Sequence, residues 1–243
     1  MRSLLPDPGP VDLHQHYAHG WVEHGGVRVN FVQSIDGAVS AGGLSAGLQT
    51  PGDNQVFAAL RDLADVVLVG AGTAVAERYR PIVVSPPRAL IRARYRIESR
   101  PPVAVVSRSL RVDPGADLFA AGAGARPLLF TCRASAASPV RARLAEVAEV
   151  IDCGDDEVEL GVVLARLRER NLTRILCEGG PTLFAQLAGA GLVDEVCLTQ
   201  SPKLIGPGPG RITAGPAWDR VAEPRLAGLL EEDGALFLRY RFG

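Results

Sequence analysis

Five short apolar runs, each followed by a stretch long enough for a helix, constrain this 243-residue chain more than any other feature: VRVNFVQ from Val27, DVVLVG from Asp65, PVAVVS from Pro102, PLLFT from Pro127 and RILCE from Arg174. Runs of near-continuous hydrophobicity suit strands buried on both faces, so the alternation predicts an α/β protein with a mostly parallel central sheet covered by helices. Of the covering segments, DNQVFAALRDLA opens on Asp53, a candidate N-cap, and DDEVELGVVLARLRERN places Val158, Val162, Leu164, Ala165 and Leu167 at near-helical spacing. The end of the chain changes character. DEVCLTQSPKLIG and PRLAGLLEEDGALFLRYRFG read as strands, the last two joined across Asp233-Gly234, a pair suited to a type I′ turn. Leu236, Leu238, Tyr240 and Phe242 then share one face and Arg239 and Arg241 the other, giving an antiparallel C-terminal edge hairpin. Residues 1–24 read as a loosely attached lead-in to one extended domain over 25–243.

Composition excludes several classes of function. With 47% hydrophobic and 22% charged residues the chain can bury a core, and a formal net charge of −1 cannot supply the cationic surface that general nucleic-acid binding needs. Any anion site must therefore be local. No apolar stretch reaches the roughly 18 residues of a membrane span, and prolines interrupt the N-terminus before a signal-peptide core forms, so a cytoplasmic protein is expected. Cys132, Cys153, Cys177 and Cys197 lack CxxC spacing and lie in or beside strand-like runs, which points to buried reduced thiols. Every basic residue except Lys203 is Arg, a general bias that carries little functional information by itself.

ILCEGGPTLFAQL, from Ile175 to Leu187, sets a carboxylate and two glycines at the junction of a buried strand and a helix. The first turn of a helix leaves N–H groups unpaired and carries partial positive charge, so it suits a phosphate. Gly179 and Gly180 lack a Cβ and allow close approach, Pro181 suits a first helical position that needs no N–H, and Thr182 adds a hydroxyl. Glu178 repels phosphate and is better matched to a donor-rich heterocycle in the crevice beyond the strand ends. A tight turn with a solvated Glu is the competing reading. At a second junction, VVLVGAGTAVAERY, a strand ends on Gly70, Gly72 and Thr73, and two phosphate-competent junctions suggest a dinucleotide, although the spacing is not GxGxxG. At a third, Ser34-Ile35-Asp36-Gly37 follows the first strand, and Asp36 is either a carboxylate beside a reacting centre or half of an ordinary Asp-Gly turn.

Ser34 to Gly37, Leu60-Arg61, DVVLVGAGT from Asp65 to Thr73, EGGPTL from Glu178 to Leu183, GLVDE from Gly191 to Glu195 and PKLIG from Pro202 to Gly206 occur in an order that resembles the reductase domain of bacterial riboflavin biosynthesis, a relative of dihydrofolate reductase. The resemblance covers about residues 27–208. It implies a dihydrofolate reductase-like α/β/α sandwich, a homodimer, that uses NADPH to convert the ribosylamino group of a phosphorylated pyrimidine to the ribityl form. It further implies that Gly70 and Thr73 line the cofactor, that Gly179, Gly180, Pro181, Thr182, Leu183 and Phe184 hold its pyrophosphate, and that Ser34, Arg61 and Glu178 belong to the substrate side. Asp36 and Glu77 are the implied proton handlers.

For the adenosine 2′-phosphate, Ser107 and Arg108, followed by Ser109, combine hydroxyl and guanidinium donors just past a strand end, with an ordinary polar turn as the alternative. Arg78, Arg80, Arg88, Arg92, Arg94, Arg96 and Arg100 form either a mobile loop that closes on the substrate phosphate or, through Arg92 and Arg96, a solvated helix face. The chain departs from the family where Glu77, Arg78 and Tyr79 stand in place of Asp-[DN]-Pro, which leaves room for another heterocycle such as dihydrofolate or a dihydropterin, or for a non-catalytic NADP(H)-binding protein. The H-x-E and P-C-x-x-C motifs of the accompanying deaminase are absent. His14, His16, His19 and His24 crowd the lead-in without a supporting Cys or carboxylate cluster, and no metal is expected.

Overall fold

The computed structural model describes residues 1–97, 100–120, 122, 124–219 and 221–243, so that Glu98 and Ser99 of the Arg-rich segment lie outside the described residues. In chain order the elements are β1 (Arg2–Leu5), β2 (Gly9–Pro10), α1 (Leu13–Ala18), α2 (Trp21–His24), β3 (Gly26–Gln33), α3 (Pro51–Leu63), β4 (Val66–Gly70), α4 (Ala71–Ala76), α5 (Pro86–Arg94), β5 (Val103–Val106), β6 (Leu128–Thr131), α6 (Arg141–Val147), β7 (Glu149–Asp152), α7 (Leu160–Arg168), β8 (Arg174–Cys177), α8 (Pro181–Gly189), β9 (Glu195–Gln200), β10 (Arg225–Glu232) and β11 (Ala235–Arg241). All five apolar runs form strands, and the α/β class with an antiparallel C-terminal hairpin is the architecture found.

The chain divides into two compact units, residues 1–63 with 176–243, and residues 64–175. In the first unit the strand order is β2-β1-β10-β11-β9-β3, with β9 and β3 parallel and the other neighbours antiparallel. In the second, β4, β5, β6 and β7 are parallel neighbours. Val66 to Val69 are fully buried, as strands covered on both faces require.

Local chemistry sets the helix ends, with two corrections to the sequence reading. Helix α3 begins at Pro51, and the hydroxyl of Thr50 accepts the Asp53 amide at 3.1 Å, so Thr50 is the cap and Asp53 lies in the first turn. Likewise α7 starts at Leu160 and buries Leu160, Val163, Leu164 and Leu167, leaving Ala165 exposed.

The first 24 residues are not loosely attached. Strand β1 pairs with β10, α1 packs on α3, and Tyr17 and Trp21 are buried. Three arginines hold them: Arg28 donates to the Tyr17 carbonyl at 2.7 Å and stacks 4.2 Å from the Trp21 ring centroid, Arg239 donates to the His16 carbonyl, and Arg241 donates to the His19 carbonyl at 3.2 Å. Glu195 balances them, pairing with Arg28 at 2.7 Å and Arg241 at 3.1 Å. Burial opposes the charge of Glu195, but the guanidiniums of Arg28, Arg239 and Arg241 outweigh it and keep the carboxyl below the usual range. This pairing also corrects the faces of β11: Phe237 and Arg239 are buried, while Leu238 and Tyr240 are only half-buried.

Candidate functional site

In the first unit the site is built at the end of β8. Glu178 is buried, and Arg61 of α3 grips it with two hydrogen bonds, Nε to Oε1 and Nη2 to Oε2, both 2.7 Å. The planar fork of the guanidinium matches the carboxylate in a bidentate pair that neither a single charge nor a lone hydrogen bond reproduces. Phe57, one turn earlier on α3, lies with its ring centroid 4.2 Å below the Arg61 guanidinium. The solvated-Glu reading of this turn is thereby excluded. Sequence reasoning missed Phe57, although its i,i+4 spacing to Arg61 was a usable signal.

Beyond Glu178, Gly180 is the N-cap of α8 in extended conformation, with no side chain capping the helix, and the Gly179–Gly180 peptide is cis. Pro181 has no N–H, so the amides of Thr182 and Leu183 are the first-turn donors without an intrahelical partner. Thr182 is exposed. These groups fit a diphosphate: two amides, one hydroxyl and the positive end of a nine-residue helix. Two of the expected pyrophosphate contacts change meaning. Gly179 has φ +85°, and a Cβ there would stand 2.7 Å from Cζ of Phe31, so its missing side chain accommodates a ring. Phe184 is buried against Phe31, ring centroids 5.6 Å apart, and its amide donates to the Gly180 carbonyl at 3.0 Å, which leaves it nothing to offer a ligand. The Leu183 side chain is buried as well, so only its backbone is available.

The end of β3 supplies Ser34 and Asp36. The Ser34 hydroxyl is buried and donates to Asp36, while the Ala38 amide donates to Ser34 Oγ at 2.9 Å. Asp36 also accepts the amides of Ile205 at 3.3 Å and Gly206 at 2.7 Å. The Ser34 hydroxyl, then the Gly206 amide, hold its carboxyl below the usual range, so at neutral pH Asp36 is an acceptor and not a proton donor.

In the second unit, Gly70 is the N-cap of α4 and Thr73 accepts the Glu77 amide at 2.9 Å, placing Glu77 at the end of that helix. Ser107 is buried and its amide is spent on the Phe130 carbonyl at 2.9 Å. Arg108 is exposed but already paired, to Glu157 at 3.1 Å and to the Asp156 carbonyl at 3.0 Å. The Arg-rich segment is not a single loop. It contains α5, within which Arg92 is buried and donates to the Ala64 carbonyl at 2.9 Å, so Arg92 is neither a solvated face residue nor a phosphate ligand. Arg80 pairs with Asp117 at 3.1 Å. In the first unit His14 meets Asp62 at 3.1 Å and His16 packs edge-on against Tyr17. All four cysteines are buried and free.

The chain is 32% identical over 181 residues to the 2,5-diamino-6-ribosylamino-4(3H)-pyrimidinone 5′-phosphate reductase of Archaeoglobus fulgidus, covering 74% of this chain and 81% of the relative. It is 28% identical over 183 residues to the protein of the same name from Methanothermobacter thermautotrophicus, covering 74% and 79%. A crystal structure of a pyrimidine reductase-like protein from Corynebacterium diphtheriae superposes with a TM-score of 0.85 at 26% identity, covering 96% of this chain and 99% of that one. The model of the RibD C-terminal domain matches residues 26–228, and the chain belongs to that family.

Proposed function

We propose that this chain is an oxidoreductase of riboflavin biosynthesis that uses NADPH to reduce the ribosylamino group of a phosphorylated aminopyrimidine to the ribityl form. The observation that carries the reading is the buried Glu178–Arg61 pair immediately before the open first turn of α8. It is supported by the name of the Archaeoglobus relative, a reductase of a ribosylamino pyrimidinone phosphate.

A reduced nicotinamide dinucleotide, when bound, supplies the hydride. The residues of the chain bind, orient and protonate. The Thr182 and Leu183 amides and the Thr182 hydroxyl would hold the diphosphate behind Gly180 and Pro181; in the second unit, Gly70 and Thr73 are proposed cofactor contacts on the family resemblance alone. Arg108 is the proposed 2′-phosphate partner, exchanging Glu157 for the ligand, with buried Ser107 fixing the turn that carries it. Glu178, oriented by its two bonds to Arg61, is the proposed acceptor for the donor edge of the pyrimidine. Ser34 fixes the neighbouring turn. As ribose opens, a C1′–H bond forms, the C1′–O4′ bond breaks and O4′ takes a proton, for which Glu77 is the proposed donor. The reading takes residues 25–243 as the reductase domain, in a cytoplasmic homodimer; among the described residues no helix is long and apolar enough to cross a membrane.

NADPH oxidation measured side by side with the phosphoribosylamino pyrimidine and with dihydrofolate tests the proposal. Turnover with the pyrimidine alone, lost in Glu178→Gln, is the expected result. Turnover with dihydrofolate would reassign the substrate, and tight NADPH binding without turnover would make the chain a binding protein. NADH in place of NADPH tests the 2′-phosphate contact, and sedimentation and cell fractionation test the dimer and the compartment.

A further inference from the structure

Residues 201–214, SPKLIGPGPGRITA, leave the end of β9 as a segment without regular structure, rich in Gly and Pro. Such a segment is mobile unless tied, because each ordered residue gives up backbone entropy. Here it is tied along its length. The Ser201 amide donates to the Gln33 carbonyl at 2.8 Å, and the Ile35 amide donates to the Lys203 carbonyl at 2.8 Å. Asp36 accepts the amides of Ile205 and Gly206. The Val39 amide donates to the Gly210 carbonyl at 3.2 Å, and the Ala214 amide reaches the Pro181 carbonyl, also at 3.2 Å. The last of these bonds falls on the first residue of α8. From the other side, the ammonium of Lys203 donates to the carbonyls of Gly47 at 2.8 Å and Gln49 at 3.1 Å, pinning the loop that runs from β3 to α3.

The two loops therefore hold each other reciprocally. A carboxylate of the first takes amides of the second, and the cation of the second takes carbonyls of the first; both charges meet backbone dipoles, which makes these bonds stronger than neutral ones. We propose that Asp36 and Lys203 are positioning residues that clasp the 34–49 loop to the 201–214 strap, and that the strap, through Ala214 and Pro181, fixes the first turn of α8 for its anionic ligand. The proposal deepens the diphosphate reading above and rests on it for its ligand. It assigns a role to the sole lysine of the chain, which lies in the PKLIG run, and gives Asp36 a task other than proton transfer.

Three variants of the full chain test it: Asp36→Ala, Lys203→Met and the conservative Lys203→Arg. Amide hydrogen exchange of Gly206 and Ala214 reads the strap without any ligand, NADPH titration reads the cradle, and the pH profile of kcat reads proton transfer. Asp36→Ala and Lys203→Met are expected to speed Ala214 exchange about tenfold and to weaken NADPH binding about tenfold, with the shape of the kcat profile unchanged and Lys203→Arg close to wild type. The clasp is overturned if Lys203→Met leaves both exchange and affinity at wild-type values, or if Asp36→Ala removes a limb of the pH profile while affinity holds. If the wild type does not bind NADPH, the diphosphate reading fails by itself, and exchange at Ala214 still decides whether the clasp exists.

Discussion

Removing Arg61 takes the bidentate partner from a buried carboxylate, and the cost can be worked from the geometry. The Glu178 side chain is 3% exposed and that of Arg61 21% exposed, with both bonds at 2.7 Å. Breaking a fully buried pair by deleting one member costs about 3–5 kcal/mol; because water reaches a fifth of Arg61, screening lowers the expectation for Arg61→Met to about 2–3 kcal/mol. In a chain of this size that corresponds to a melting temperature lower by roughly 5–10 °C. Replacing both partners, Arg61→Met with Glu178→Leu, removes the buried carboxylate as well and recovers much of the loss, so a double-mutant cycle from urea unfolding should give a coupling of about 1.5–2.5 kcal/mol. Arg61→Lys provides one point charge where the site needs a fork, and should recover less than half of the coupling. A cost below about 0.5 kcal/mol for Arg61→Met, or additive single effects in the cycle, would refute the claim that the pair is a buried and mutually dependent unit.

Three further outcomes are expected. Gly179→Ala combines a φ of +85° with a Cβ 2.7 Å from the Phe31 ring, so it should destabilise by roughly 2–4 kcal/mol, measured by urea unfolding, and Phe31→Ala in the same chain should relieve part of that loss. His16 has its pKa pushed down to about 4, first by burial and then by Arg239. The unfolded chain takes up this proton near pH 6.5 and the folded chain does not, so stability is full above pH 6.5 and falls as pH drops toward about 4; His16→Gln should flatten that fall by about 1–2 kcal/mol after allowance for partial exposure. Burial raises the pKa of Asp53 against a bond from Thr199, so the folded state favours the neutral acid at low pH and loses stability as pH rises from the unfolded value through the raised one. Asp53→Asn, which keeps an acceptor for Thr199, should therefore stabilise at pH 7 and change little at pH 3, as thermal unfolding at the two pH values will show.

What was legible in the sequence rests on short-range rules. Hydrophobic runs of strand length located β3, β4, β5, β6 and β8 because periodicity is a property of neighbouring residues. Asp233-Gly234 gave the β10–β11 hairpin because both residues tolerate positive φ, 51° and 79° here. Glu-Gly-Gly-Pro at the start of α8 was readable because Pro at the first helical position and an extended Gly before it are local requirements. The tertiary structure decided everything that depends on a partner far along the chain. Arg239 is buried on β11 because Glu195 is its neighbour, Gly179 is a packing glycine because Phe31 comes against it, and residues 1–24 join the first unit because Arg28, Arg239 and Arg241 reach their carbonyls. Asp36 finds its amides about 170 residues away, at Ile205 and Gly206. A sequence states each residue's charge, size and allowed dihedrals; whether a carboxylate becomes a proton donor, half of an ion pair or a brace for a loop is set by which donors the fold brings within 3 Å, and that is settled only when distant segments pack.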